Sequence, residues 1–361
     1  MPDRQTPRKN DEISILFQDH QAEQLVQIVA AQIEYHSRVS EKRKDSYKLV
    51  SLSAGTRVDG RWTIIKEIAQ GAFSTVFLCS GNTDAGRQQA AMKTERADEE
   101  PFLWQEAEIL RKMSTEQGGE HFCRWLGEGR DFQRNTKSGK LVTMSLTGPG
   151  LFDLLSEAGD VFSPGTAIGV SIQLLHALKT LHSAGYLHLD VKPENAAIGR
   201  ADTKEERRIF LIDFGLARRY IRNDGRARRQ RSRTHFRGTP MYASIAAHAR
   251  ADYCRASDIE SWFYTLVDMY TGKLPWTHVK SERRMGKMKR RRLSHKPEVR
   301  RKALSDLESW LYTLVDMYTG KLPWTHVTSE HRDALHFLDR RNYDEFELAL
   351  RNYLKSTRSA S

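Results

Sequence analysis

The sequence predicts an α+β chain of two lobes, a small β-rich lobe followed by a larger helical one. Two observations carry this. Short β-rich runs broken by turn residues lie just beyond residue 60, and long helical patterns with a buried stripe fill most of the remaining chain. A chain of 361 residues can bury a core of that size.

RWTIIKEIAQGAFSTVFLCS and QQAAMKTE, separated by GNTDAG, read as a twisted hairpin followed by a further strand. PFLWQEAEILRKM is a helix, and a strand pair centres on LVTMSL. A long helix comes next, which Ser163 caps with Pro164 at its first position. Ile168, Ile172, Leu175 and Leu181 supply its buried stripe, and Gly185 ends it. Ahead of all this, residues 1–57 form a charged extension in which Leu25, Ile28, Val29 and Ile33 predict an amphipathic helix.

The second half repeats itself. SDIESWFYTLVDMYTGKLPWTHV at 257–279 recurs as SDLESWLYTLVDMYTGKLPWTHV at 305–327, a period of 48. Two copies are too few for a solenoid, so a segmental duplication, or an error in the predicted transcript, explains them better. Each copy opens with a predicted capping box, Ser257 with Glu260 and Ser305 with Glu308, and closes at a glycine. RRMGKMKRRRLSHKPEVRRK lies between them and reads as a solvated basic loop, ahead of nuclear-import or anion-binding use.

A formal charge of +12 points to acidic partners: acidic protein segments, phosphate groups, nucleic acid or a membrane surface. Cys79, Cys123 and Cys254 show neither an even count nor metal-ligand spacing, so a reducing intracellular setting is expected. No apolar run approaches the roughly 18 residues of a spanning helix, and a soluble protein is expected.

The chemistry concentrates in YLHLDVKPENAAIG, residues 186–199. Phosphoryl transfer needs metal held against phosphates, a lysine to orient them, and a carboxylate beside the attacking hydroxyl. Asp190 can accept the hydroxyl proton, Lys192 can steady the transferring group, and Asn195 can hold a magnesium ion. Downstream, Asp213 comes after an apolar strand and precedes Phe214 and Gly215, as a second magnesium ligand should. Asp-Phe-Gly alone would be an ordinary strand-to-turn junction. Joined to His-x-Asp-x-Lys-Pro-x-Asn upstream, it favours catalysis. Lys93 on its strand should contact the α- and β-phosphates and pair with a helix carboxylate, Glu106 in preference to Glu108. The glycine loop is thin: Gly71 stands between Ala69 and Ser74, leaving the backbone amides of Gly71 and Phe73 to reach phosphate oxygens.

These segments, with HFCRWLGEGRD, IDFGLARRY and FRGTPMYASIAAH, resemble a eukaryotic protein kinase, and more narrowly the casein kinase 1 group and its tau-tubulin kinase-like branch. The resemblance runs continuously over about 61–279. It implies a bilobal kinase domain over 58–356, with lobes at about 58–146 and 147–356 and a tail at 357–361. It further implies ATP with Mg2+ and serine/threonine protein substrates; Lys192 fits the serine/threonine rather than the tyrosine pattern. Val76 would line the nucleotide, and Met144 to Thr147, with Leu146, would form the hinge that contacts adenine. Asp258 would be the structural aspartate beneath the catalytic loop, and Thr239 the substrate-loop threonine. Where the group carries Ser-Ile-Asn, this chain has Ser244, Ile245 and Ala246, a departure at the last position. The expected setting is the cytoplasm, with the nucleus open, and the oligomeric state is open too.

Leu189 occupies the place of an arginine that, in many kinases, binds a phosphorylated activation segment. Its loss predicts activity without phosphorylation of Ser232 or Thr234. The activation segment RARRQRSRTHFRG is a charge run, read either as a solvated face or as a selector of acidic or phosphorylated substrate segments. The resemblance tilts this toward selection. Nucleic acid is disfavoured because no aromatic-interleaved motif accompanies the charge. His331-Arg332-Asp333 spells a catalytic triplet without lysine, proline or asparagine at the required offsets and reads as helix surface. The alternative to an active kinase is a pseudokinase scaffold for acidic partners, supported by the thin glycine loop, Ala246 and the duplicated helix. Against it, Lys93, Glu106, Asp190, Asn195 and Asp213 are all present.

Overall fold

A computed structural model of the chain describes residues 50–71, 74–83, 86–96, 102–130, 139–294 and 351. Six strands build the first lobe: β1 (Arg57–Val58), β2 (Trp62–Gln70), β3 (Ser74–Thr83), β4 (Gly86–Arg96), β5 (Trp125–Arg130) and β6 (Gly139–Ser145). They pair antiparallel in the order β1-β2-β3-β4-β6-β5. Alternation sets the faces: Trp62 and Ile64 point into the core while Thr63 and Ile65 between and beyond them face solvent. Phe77, Cys79, Ala90 and Met92 complete that core face. Leu52 is buried with them, so the folded lobe reaches back into the segment assigned above to the 1–57 extension. Helix α1 (Phe102–Met113) comes after β4 and buries Leu103, Ala107, Ile109, Leu110 and Met113.

The second lobe is helical, with α2 (Leu151–Glu157), α3 (Pro164–Ser183), α4 (Ile245–His248), α5 (Arg255–Thr271) and α6 (Glu282–Ser294). Ser163 Oγ accepts the Thr166 amide at 3.3 Å, with Pro164 in the first turn of α3. Ile168, Ile172, Leu175 and Leu181 are all buried. Trp262 on α5 locks the two long helices together by donating its indole N–H to Ser171 O at 2.8 Å. Four short strands, β7 (Tyr186–Leu187), β8 (Ala196–Ile198), β9 (Ile209–Leu211) and β10 (Arg218–Arg219), form the pairs β7–β10 and β8–β9. The loop 188–195 is thereby fixed at both ends, and Asp213 emerges just after β9. Among the described residues no helix is long and apolar enough to cross a membrane.

Two expectations are corrected. Helix α5 starts at Arg255, so Ser257 is its third residue and not its cap; Ser257 Oγ accepts the Cys254 amide at 3.3 Å. Glu260 instead accepts the Ile245 amide at 2.9 Å and the Tyr264 hydroxyl at 2.6 Å, joining α5 to α4. The closing glycine is as expected, Gly272 at φ 71°. The second correction concerns the basic segment: residues 282–294 are the helix α6 and not a solvated loop. Met285 and Lys289 are buried on one face while Arg283, Arg284, Lys287 and Arg290 stay on the outer one, so a helix hides in what composition alone presents as uniform charge. The first repeat copy is the core helix α5 and the turn after it. Its second copy at 305–327, the helix expected around 25–33, the His331 triplet and Phe73 lie outside the described residues.

Candidate active site

Asp258, in the first turn of α5, organises the loop from below. Its carboxylate accepts the backbone N–H groups of His188 at 2.7 Å and Leu189 at 2.8 Å, and the His182 ring N–H at 2.8 Å. A carboxylate buried this deeply persists only with several donors. Burial lowers the His182 pKa despite the partner, which leaves a neutral ring donating through Nε2. Leu189 sits at φ 70°, a left-handed backbone that a branched side chain resists, and Asp258 helps to hold it there. The Leu189 side chain is buried in an apolar cluster with Leu187, Tyr220, Ala243, Ala247 and Tyr253.

The next residue, Asp190, is the hub. Its Oδ1 accepts the Thr239 amide at 2.7 Å and the Thr239 hydroxyl at 2.8 Å. Its Oδ2 lies 3.2 Å from Lys192 Nζ and accepts from Asn195 Nδ2 at 3.0 Å. Lys192 also donates to the Thr239 hydroxyl at 2.8 Å, closing a ring of contacts. Burial works to lower the Lys192 pKa, but the Asp190 carboxylate foremost reverses this and raises it. Gly238 makes the approach of Thr239 possible: at φ 93°, a Cβ there would lie 2.6 Å from Leu189 O. Asn195 donates as well to Asp190 O at 2.8 Å, and its own carbonyl accepts Ile212 N–H at 3.0 Å, which brings Asp213 alongside.

Lys93, on β4, reaches Glu106 of α1 at 2.7 Å and Asp213 at 2.9 Å. Glu108 points elsewhere and accepts from Tyr186. Burial alone would lower the Lys93 pKa; the charges of Asp213 and Glu106 outweigh it and raise it. Lys93 in turn holds the Asp213 carboxyl well below the usual carboxylate range. Burial pushes Glu106 upward, against the attraction of Lys93. Asp213 sits at φ 61°, and Phe214 behind it packs its ring 5.3 Å from His188 and 5.8 Å from Phe122.

Val76 pairs in register with Lys93 on the adjacent strand, and the Gly71 amide donates to Ser74 O at 2.7 Å across the turn into β3. Met144 lies on β6 opposite Ala91, and Leu146 and Thr147 lead from that strand toward the helical lobe. Asp190, Lys192, Asn195, Lys93, Glu106 and Asp213 thus form one cluster, with the hinge candidates and Gly71 on the strands and turns around it. On α2, six residues beyond Thr147, Asp153 is buried. Burial, with Glu157 and Glu194 near, pushes its carboxyl up to about 7.

A second charged feature lies on the activation segment. Arg222 and Arg228 sit on the arms of a turn tipped by Asp224 and Gly225, in which Arg222 N–H reaches Arg226 O at 2.8 Å and Arg228 N–H reaches Tyr220 O at 2.8 Å. The fold converges Arg218, Arg222, Arg228, Arg229 and Arg231 on a cavity of about 360 Å³. Asp252 answers part of this charge, pairing with Arg218 at 2.6 Å and accepting the Arg231 amide at 3.0 Å. Burial, then the neighbouring charge of Arg218, lowers the Arg231 pKa.

Residues 62–323 match the family description of a protein kinase domain. The chain belongs to the protein kinase domain family. A probable serine/threonine-protein kinase of Dictyostelium discoideum is 37% identical to this kinase domain over 244 residues, covering 67% of this chain and 47% of that protein. A putative serine/threonine-protein kinase of Caenorhabditis elegans is 31% identical over 246 residues, covering 67% of this chain and 68% of that one. The serine/threonine-protein kinase spe-6 of the same nematode is 30% identical over 235 residues, covering 64% and 59%. The match therefore spans about half the length of the first relative and about two thirds of the others. The sheet lobe and the helical lobe described above are those of the bilobal kinase domain.

Proposed function

We propose that the chain is an ATP-dependent serine/threonine protein kinase of the casein kinase 1 group, in its tau-tubulin kinase-like branch, that prefers acidic or phosphorylated substrate segments. The observation that carries this is the ring formed by Asp190, Thr239 and Lys192, joined through Asn195 to Asp213 and Lys93. Asp190 lies where it can accept the proton of a serine or threonine hydroxyl, and Lys192 can offset charge on the transferring group. Lys93, held charged by two carboxylates, can engage the nucleotide phosphates.

Asn195 and Asp213 are the residues that would hold Mg2+. Both offer hard oxygen donors, and Asp213 stays ionised at any physiological pH because Lys93 depresses its pKa. When bound, the ion would neutralise charge on the β- and γ-phosphates. The five-arginine cavity supports the acidic preference, because it gathers far more guanidinium than Asp252 can answer. The buried Leu189 cluster supports activity without a phosphorylated activation segment, since apolar packing takes the place of a charge pair. The proposed setting is the cytoplasm, with the nucleus open.

The test is transfer of labelled γ-phosphate from Mg-ATP to matched neutral, acidic and phosphorylated peptides, beside Asp190→Asn. Label that vanishes with Asp190→Asn establishes the kinase, and acidic peptides favoured in wild type but not in Arg228→Ala/Arg229→Ala establish the preference. Equal background from wild type and Asp190→Asn would support the scaffold instead.

A further inference from the structure

Lys289 lies in the basic run RRMGKMKRRR, residues 283–292, yet unlike its charged neighbours it is 0% exposed. Its ammonium donates to the carbonyls of Pro240 at 3.0 Å, Met241 at 3.0 Å and Ala243 at 2.6 Å. The same nitrogen lies 4.6 Å from the ring centre of Tyr264 and 4.9 Å from that of Trp276. Three N–H groups meet three acceptors, which uses an ammonium completely. Burial works to lower the Lys289 pKa, and the charge of Glu260 works against it, favouring the ammonium.

The three carbonyls share an address. They belong to the tight turn directly after Thr239, in which the amides of Tyr242 and Ala243 both donate to Thr239 O at 3.0 and 2.8 Å. Trp276 Nε1 and His248 Nε2 reach the same turn, at Met241 O and Pro240 O. Thr239 itself is the residue whose amide and hydroxyl both bind Asp190 Oδ1. A cation that clamps this turn therefore sets where Thr239, and through it Asp190, can stand.

We infer that Lys289 is a positioning residue for phosphoryl transfer: it clamps the 240–243 turn from α6 and so fixes Thr239 against Asp190 and the floor on which a protein substrate lies. The inference rests on the kinase activity proposed above. Its direct contacts lie at the 240–243 turn, on the peptide side of the reaction, and none of them is to Lys93, Asp213 or the hinge.

The decisive experiment is steady-state kinetics of Lys289→Met in the full chain, varying peptide and Mg-ATP separately. The expected result is a peptide kcat/KM reduced by about tenfold or more, with peptide KM raised and ATP KM unchanged. A lysine that served only to hold α6 would lower the active fraction alone, so that kcat per active site, counted by nucleotide titration, and both KM values stay at wild type, and that outcome would overturn the inference. A cycle with Thr239→Ala adds a second readout: the two losses should be less than additive, and full additivity would equally count against it. Should Lys289→Met fail to fold, Lys289→Arg keeps the charge but cannot serve three convergent carbonyls with a planar fork, and the same split between peptide and ATP is expected. Wild type without turnover would refute the kinase proposal itself, whereas an active wild type matched by the Lys289 variants refutes only this one.

Discussion

The Asp258 carboxylate accepts the backbone amide of Leu189 at 2.8 Å, so a residue on α5 holds the left-handed turn that presents Asp190. Asp258→Ala would leave the buried amides of His188 and Leu189 without an acceptor. At about 1–3 kcal/mol per orphaned group, a loss on the order of 4 kcal/mol is expected in urea unfolding. Turnover of the fraction that stays folded should fall too, because the turn at Leu189 relaxes.

Ser232→Ala combined with Thr234→Ala should leave turnover within about twofold of wild type, since no charge pair is needed where Leu189 packs. Thr234 donates its hydroxyl to Ala251 O at 2.9 Å, so a stability loss of about 1 kcal/mol accompanies the change. Abolished turnover in the folded double variant would show that phosphorylation is required after all.

Restoring an arginine at Leu189 should destabilise the domain and not improve it. The side chain would have to enter the cluster of Leu187, Tyr220, Ala243 and Tyr253, where burying an unpaired charge costs several kcal/mol. A lowered melting temperature for Leu189→Arg is the expected observation.

Lys93→Met should reduce phosphate transfer by about a hundredfold or more while the domain stays folded, because a charge aligned by Glu106 and Asp213 is lost. Glu106 is left buried with no cation beside it, so its already raised pKa should rise further. A carbonyl-stretch measurement of carboxylate protonation would track that shift directly.

The His248 contribution to stability should fall with acid in a defined window. Burial, then the charge of Lys289, lowers the His248 pKa to about 4 from an ordinary value of 6.5. The folded ring stays neutral while the unfolded one takes a proton, so the unfolded state binds more protons between these values. This contribution is full above pH 6.5 and declines as pH drops toward about 4, by at most about 3 kcal/mol. Urea midpoints across that range should show a shallower slope in His248→Asn.

The strand alternation of the first lobe, the Ser163 cap, and the Asp190–Asn195 spacing were legible because each is written in residues a few positions apart. The start of α5 was not, since Ser257 and Glu260 fit a capping box, whereas Ser257 Oγ accepts the Cys254 amide from the third position of a helix that begins at Arg255. Lys289 was illegible for a related reason. Its acceptors lie 46 to 49 residues away in the chain, and nothing local separates it from the basic residues beside it. The arginine cavity fell between these cases: the charges were plain, but their convergence depends on the turn at Asp224 and Gly225.

The clamp on the 240–243 turn also breaks the symmetry of the duplicated segment. Shifted by the period of 48, Ser281 and Glu282 meet Ser329 and Glu330, but Met285 meets Asp333 and Lys289 meets Phe337. The two copies are nearly identical through 279 and 327, yet the segments trailing them are not interchangeable. A chain spliced to run from residue 256 directly into 305 would change the core helix only by leucine for Ile259 and Phe263, and would confront three carbonyls with an aromatic ring that can donate nothing to them. The near-identity of the two copies therefore stops short of the residues that hold the 240–243 turn.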